Sequence, residues 1–154
     1  MLGLAVLTGS RRLLDYAIQL RKEAWSPGKR DMILASLQPW CASYTITHIA
    51  LSIPYEKQTS EEMQELLESI QRFSREKQVP CFPYHTKALA AFWKENQKQS
   101  KKEVIGRIIS CYPELTHVYQ KEISNKNKYY MKLFEAVGVA VMHTEELSSK
   151  KAGR

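Results

Sequence analysis

The sequence predicts an α/β domain with a mixed, five-stranded sheet and helices on both faces. Two strand-like segments at the start, Leu2–Leu7 and Leu13–Leu20, are close along the chain and favour an antiparallel hairpin. Thr47–Pro54 contains a continuous apolar run, which is typical of a strand covered on both faces. A helix and a short strand, Cys81–Tyr84, follow it and favour a parallel, right-handed crossover. Arg21–Trp25 either continues the second strand or forms a further one, and as a further strand it completes the expected five-stranded sheet.

The clearest helical signal begins at Thr59. Thr59 and Glu62 match a capping box, in which the two side chains bond each other's backbone N–H groups at the start of a helix. Apolar residues then recur every three or four positions as far as Phe73, which predicts one buried stripe. Ser100 and Glu103 form a second capping box and predict another helix start. Further helices are predicted over residues 29–38, 86–95, 114–122 and 129–146.

Length and composition indicate one domain with a short tail. The chain has 154 residues, which suits a single hydrophobic core, and we expect the domain to span residues 1–147. Residues 148–154 are polar and basic and predict a flexible tail. No apolar run reaches the roughly 20 residues of a membrane helix, and the apolar start is too short for a signal peptide. A cytoplasmic location is therefore expected, with no membrane partner.

The charge of the chain favours a polyanionic partner. Lysine and arginine number 23 against 16 aspartates and glutamates, which gives a formal net charge of +7. Because each contact between a basic residue and a phosphate releases a counterion, this excess predicts nucleic acid as the partner. Cys41, Cys81 and Cys111 form no CxxC pair, and the four histidines show no HxH or HxxxH spacing. The sequence thus predicts neither a metal site nor a cofactor.

Several strings, in order along the chain, carry a family resemblance. The opening Leu-Gly-Leu-Ala-Val-Leu-Thr-Gly-Ser-Arg-Arg is similar to an apolar strand that ends in Asp-Pro-Gly-Ser/Thr-Arg. The stretches His48–Pro54, Cys81–Lys87, Ser100–Val104 and Phe134–Ala140 are similar to later strands and helices of the same family. Together they resemble the RuvC-type Holliday junction resolvases and their YqgF-type relatives over residues 1–142. The resemblance implies a ribonuclease-H-like fold with the first strand at the centre of the sheet and, by analogy, a homodimer.

The acidic residues that such a nuclease needs are largely missing. Two-metal nucleases hold their ions with clustered carboxylates. The resemblance places Leu7 and Ser52 where the family has acidic residues, and Glu135 keeps a carboxylate at the third position. Glu56, just beyond a predicted strand, could replace a lost acid, so Glu56 and Glu135 are the residual catalytic candidates. The chain is therefore predicted to be catalytically inactive, with a divergent metal-dependent nuclease as one alternative.

The candidate nucleic-acid contacts are basic residues at predicted strand ends and helix starts. The turn at residues 10–12 can hold a phosphate through backbone amides and guanidinium groups, although a plain hairpin turn also explains it. Lysines interleaved with aromatic residues suit single-stranded or distorted nucleic acid, with an ordinary solvated surface as the alternative. The full set is Ser10, Arg11, Arg12, Lys87, Lys101, Lys102, Lys126 and Lys128.

The sequence therefore predicts an inactive RuvC-like domain that binds DNA or RNA. The resemblance implies that the strand ends carrying Leu7 and Ser52 meet where the family holds its scissile phosphate, with the basic residues around them. The other alternative is a protein-interaction or structural module that binds no nucleic acid.

Overall fold

The computed structural model describes residues 1–54, 59–94, 100–124 and 131–153. The strands within them are β1 (Leu2–Leu7), β2 (Leu13–Gln19), β3 (Ile49–Ile53) and β4 (Cys81–His85). The helices are α1 (Pro27–Ser43), α2 (Glu61–Glu76), α3 (Thr86–Trp93), α4 (Lys101–Cys111), α5 (Thr116–Ser124) and α6 (Met131–Ala152), and a 3-10 turn (Pro113–Leu115) joins α4 to α5.

The described strands form two separate two-stranded sheets. β1 and β2 pair antiparallel, with Ala5 opposite Tyr16, so the predicted hairpin is confirmed. β3 and β4 pair in parallel, with Ser52 beside Tyr84, and α2 lies between them along the chain. Both local pairings therefore follow the order of strands and helices that the sequence indicated.

The prediction of one mixed, five-stranded sheet with the ribonuclease-H-like layout is wrong. In the described part of the chain β1 pairs only with β2, and no ladder joins β1 to β3. Arg21–Trp25, expected as a further strand, forms none. Both β1 and β3 instead contact α6, so each sheet buries apolar residues against this helix and its neighbours. An apolar strand pattern predicts that a face is covered but does not say what covers it.

The hydrophobic core is centred on α6. Leu133, Phe134 and Val137 are each at most 1% exposed, and buried residues of α3, α4, the 3-10 turn and α5 pack with them. Ala5 of β1 and Tyr84 of β4 pack against the same core from the two sheets. A helix buried on this many sides must be apolar around most of its circumference, as the first half of α6 is.

The two ends of α6 differ in how they are held. At its start, β1 comes so close that a Cβ added to Gly3 would lie 2.1 Å from the carbonyl oxygen of Lys132. Only glycine fits there, because the atom in the way belongs to the backbone of the helix. At its other end α6 continues to Ala152, and so includes most of residues 148–154, where the sequence predicts a flexible tail.

The observed helix starts agree with the local sequence signals, except that one of them is shifted by one residue. The capping box of Ser100 and Glu103 is confirmed, with both reciprocal hydrogen bonds present. α2 is capped by Ser60 rather than Thr59, one residue later than predicted. α1 continues through Pro39 to Ser43 instead of ending before the proline.

α3 crosses α6 at Gly138. The indole Nε1 of Trp93 donates a hydrogen bond to the carbonyl oxygen of Gly138 over 3.1 Å. A Cβ on Gly138 would lie 3.0 Å from that nitrogen and 3.3 Å from Cδ1 of Ile108. By contrast, a Cβ on Gly106, inside α4, would meet nothing within 4 Å. The close crossing of α3 and α6 therefore depends on the missing side chain at Gly138.

We expect alanine at these two helical glycines to change stability in opposite directions. Alanine is intrinsically favoured over glycine inside a helix by about 0.5–1 kcal/mol, so Gly106→Ala should raise the free energy of unfolding by about that amount. Gly138→Ala should lower it by about 1–3 kcal/mol because it overpacks the Trp93 contact. Urea unfolding followed by circular dichroism measures both values. A Gly138→Ala protein as stable as the Gly106→Ala control would contradict the close crossing.

Candidate nucleic-acid interface

The predicted phosphate turn joins β1 to β2 and is held by its own residues. The hydroxyl of Thr8 accepts from the backbone N–H of Arg12 over 3.0 Å and lies 2.8 Å from the hydroxyl oxygen of Ser10. Arg11 has a left-handed φ of 66°, and its N–H donates to the carbonyl oxygen of Thr8 over 2.8 Å. The turn is therefore fixed by local hydrogen bonds, and both of its arginines are exposed.

Arg11 also links the turn to two other elements. Its guanidinium pairs with the carboxylate of Glu145 on α6. The hydroxyl of Tyr112, which follows α4, donates to the carbonyl oxygen of Arg11 over 2.8 Å. An exposed ion pair of this kind adds little stability, but it offsets the charge of the arginine. The turn consequently presents less net positive charge than its two arginines suggested.

A polar cluster lies beside this turn, between β4 and α6. The hydroxyl of Tyr84 donates to Oε2 of Glu146 over 2.9 Å and lies 2.8 Å from Nδ1 of His143. The ring of His143 packs against Phe82, with ring centroids 4.4 Å apart, and against His48, at 5.2 Å. Burial and the bond to Glu146 raise the pKa of Tyr84 to about 12. The cluster joins the second sheet to α6 through side chains that sequence reasoning did not single out.

Burial also keeps the imidazole of His143 neutral. The side chain is 6% exposed. This burial, followed by repulsion from the nearby His48, lowers the pKa of His143 below its ordinary value of 6.5. Glu146 acts in the opposite direction, and Lys150 adds to the lowering. The contact between β4 and α6 is thus made with an uncharged histidine at neutral pH.

The three positions that the resemblance compares with the family's acidic residues lie on β1, β3 and α6. Leu7 packs against the core from β1, and the hydroxyl of Ser52 is buried in β3. Glu135 lies near the start of α6, ten residues before Glu145 and hence about 15 Å along the helix from the predicted phosphate turn. Glu56 lies outside the described residues. Within the described ranges, no three His, Cys, Asp or Glu side chains are grouped so that they could hold a metal ion.

Two of the predicted basic residues, Arg11 and Lys102, lie near opposite ends of α4. Arg11 lies beside the C-terminal end of α4, through the contact with Tyr112 described above. Lys102 lies at the opposite end of α4, about 15 Å away by the rise of the helix. Lys87 is exposed in the first turn of α3. Lys101 is the first residue of α4, and Lys126 and Lys128 lie outside the described residues.

A cavity of about 260 Å³ lies between α3, α4 and α6. We call it the three-helix cavity. Most of its walls are apolar, and the charged side chains that line it are Lys94 and Glu135. The sequence predicts helices over most of these residues, but the space between the helices depends on how they pack. The lining residues are Thr86, Leu89, Ala90, Trp93, Lys94, Val104, Ile105, Ile108, Met131, Phe134 and Glu135.

Lysines lie close to the three-helix cavity. Nζ of Lys132 donates to Oε2 of Glu135 over 2.7 Å, and the Glu135 side chain is 14% exposed. Lys94 lines the cavity, and Lys102 is exposed two residues before Val104, which is part of the wall. α4 and α6 also begin at this end, and helix N-termini carry a partial positive charge. Three lysines and the starts of two helices therefore lie at this part of the surface, together with Glu103 and Glu135.

No protein-family model matches this sequence, and no curated protein matches it. The resemblance to RuvC-type resolvases therefore stays a prediction. Among the described residues, no helix has both the length and the apolar character needed to cross a membrane. The expected cytoplasmic location stays a prediction as well.

We expect the lowered pKa of His143 to make the protein less stable in mild acid. The unfolded chain takes up a proton as the pH falls below about 6.5, whereas folded His143 resists protonation down to its lowered pKa. The contribution is fully present above pH 6.5 and is lost as the pH falls through the folded-state pKa. The urea midpoint, measured between about pH 7.5 and 5, should fall on acidification and fall less in His143→Gln. The exposed His117→Gln is the control, and a wild-type pH profile in both variants would contradict the assignment.

Proposed function

We propose that this chain is a catalytically silent domain that binds the phosphate backbone of a nucleic acid through the lysines near the three-helix cavity. One observation carries the proposal. Residues 94–102 and 126–132 contain seven lysines against one glutamate, which is most of the net charge of +7. Lys94 and Met131, which belong to the two segments, line the same cavity. One described residue of each segment therefore lies at the same cavity.

The two basic ends of the structure differ in how well they suit phosphate. At the turn between β1 and β2, a phosphate would compete with the carboxylate of Glu145 for Arg11. Near the three-helix cavity, Lys132 is bound to Glu135, and the described lysines there, Lys94, Lys102 and Lys132, outnumber the glutamates Glu103 and Glu135. Backbone contacts of this type give affinity without reading sequence. The cavity end is therefore the better polyanion site.

The absence of catalysis in the proposal is supported by the positions of the acidic residues. A two-metal nuclease needs its carboxylates within a few ångströms of one another. Glu135 is bound to Lys132, and the family's other two acid positions hold the apolar Leu7 and the buried Ser52. The resemblance to RuvC-type resolvases supports nucleic acid as the class of partner. It does not supply the missing ligands.

The alternative hypothesis is a protein-interaction module that does not bind nucleic acid. The most exposed large apolar residues include Leu14, Leu20 and Met32, at 41%, 50% and 46%. They lie on different elements, and isolated exposed apolar residues are ordinary on protein surfaces. The exposed apolar residues among the described ranges mark no specific surface that supports this hypothesis. It would gain support if the following experiment detected no binding.

We expect charge reversal at the start of α4 to weaken nucleic-acid binding. Lys101→Glu/Lys102→Glu should raise the dissociation constant for a fluorescent single-stranded oligonucleotide. It should also reduce the slope of log K against log salt concentration by about 0.7 for each phosphate that the variant no longer neutralises. Fluorescence anisotropy between about 50 and 200 mM salt measures both quantities.

The matched control is a second pair of adjacent lysines. Lys150→Glu/Lys151→Glu makes the same change in net charge in the last turn of α6, about 27 Å along that helix from Lys132. It should leave the salt slope close to the wild-type value. Equal weakening in the two double variants would show that only the overall charge matters, and binding by neither variant nor wild type would remove the proposal.

We further expect the purified protein to leave nucleic acid intact. Branched, duplex and RNA–DNA hybrid substrates should remain uncut in the presence of Mg²⁺ or Mn²⁺, because the carboxylates for two ions are not clustered. Neither ion should raise the melting temperature at modest concentration. Gel electrophoresis and thermal melting test these points. Cleavage that is abolished in Glu135→Gln would establish the nuclease alternative instead.

A further inference from the structure

The three-helix cavity combines mostly apolar walls with one partly buried carboxylate, that of Glu135. The rings of Trp93 and Phe134 and the side chain of Met131 are among its walls. The indole of Trp93 is fixed by its bond to Gly138 and is 6% exposed. The volume of about 260 Å³ lies just below the range of about 300–1,000 Å³ that is common for drug-sized ligands. The space thus suits a small, flat, largely apolar group.

We propose that this cavity takes one base of a single-stranded nucleic acid whose backbone lies on the neighbouring lysines. The inference rests on the proposed function and adds to it the part of the nucleic acid that is recognised. The argument for this occupant is charge complementarity. An unstacked base presents apolar faces to the walls, while the phosphates on either side of it require positive charge at the rim. Lys94 lies in the cavity wall, and Lys102 and Lys132 are exposed nearby.

Glu135 determines which part of the nucleic acid can enter the three-helix cavity. A carboxylate repels phosphate, so the backbone cannot approach this part of the cavity closely. It can accept a hydrogen bond from an exocyclic amino group, as acidic side chains do from N4 of cytosine. Thymine and uracil carry a carbonyl oxygen in place of that amino group. Oε2 of Glu135 already accepts a hydrogen bond from Nζ of Lys132, and a carboxylate has acceptor sites for further donors. The site should therefore prefer cytosine to thymine.

The test compares three oligonucleotides of equal length by fluorescence anisotropy: oligo-deoxycytidine, oligo-thymidine and an abasic strand. Stacking of a base on an aromatic wall predicts that the abasic strand binds at least about five-fold more weakly than oligo-deoxycytidine. Glu135→Gln should reduce the preference for cytosine over thymine. In a Trp25→Phe/Trp40→Phe variant, Trp93 is the one remaining tryptophan of the three, and its fluorescence should change on binding oligo-deoxycytidine and not on binding the abasic strand.

Filling the cavity provides the decisive variant. Ala90 lines the cavity, whereas Ala88, on the same helix, is exposed. Ala90→Leu should lower the affinity for oligo-deoxycytidine to that for the abasic strand and leave the abasic affinity unchanged. Ala88→Leu should bind both strands as the wild type does. Both variants add the same side chain to α3, so a comparison of their melting temperatures separates loss of binding from loss of folding.

The outcomes distinguish this inference from the proposed function. Equal affinities for all three strands, with the salt slope still reduced in Lys101→Glu/Lys102→Glu, would overturn base insertion and leave backbone binding in place. A loss of abasic binding in Ala90→Leu would also overturn it, because the cavity would then shape the backbone site instead of holding a base. Failure of every strand to bind would overturn both.

Discussion

The structure depends on the burial of α6 between the two small sheets and the other helices. Gly3 lets the backbone of β1 touch the start of this helix, and Gly138 lets α3 cross its middle. Farther along, Tyr84 joins β4 to it through His143 and Glu146. A two-stranded sheet alone is at best marginally stable in water. Each sheet therefore obtains its stability from the helix that it covers, and the two sheets need not bond to each other.

The same dependence explains how far the sequence predicts the fold. The β1–β2 hairpin, the parallel β3–β4 pair and the capping box at Ser100 follow from signals within a few residues, or within one strand–helix–strand unit. To predict whether β1 pairs with β3, the sequence would have to distinguish between β3 and α6, and both are distant from β1 along the chain. The apolar pattern of Leu2–Leu7 is satisfied equally by a neighbouring strand and by α6. The packing of β1 on α6 determines the observed arrangement, and no local sequence pattern encodes that contact.

The candidate site shows the same division between local and distant information. The sequence marked the lysine-rich segments as basic, and their charge is a property of composition alone. It did not indicate that Arg11 would meet Glu145, which is 134 residues away. The spacing of His143 and Glu146, three residues apart on a helix, places them on one face, and this was the available signal for the polar cluster. The three-helix cavity had no such signal, because it is a space between residues that each look like core.

The pairing of acidic and basic residues determines which parts of the surface keep an excess of positive charge. Glu145 offsets Arg11 at the turn between β1 and β2, and the lowered pKa of His143 means that this histidine adds no positive charge there at neutral pH. At the other end of α6, Glu135 offsets Lys132 but is far outnumbered by lysines in the adjoining sequence. Under the proposed function, the polyanion would bind at the starts of α4 and α6, where exposed charges act over roughly a Debye length. In a nuclease of this kind, metal ions would neutralise the repulsion between clustered carboxylates and phosphate. At the positions that the resemblance compares with those carboxylates this chain has Leu7 and Ser52, so the proposed phosphate contacts would be made by lysine alone.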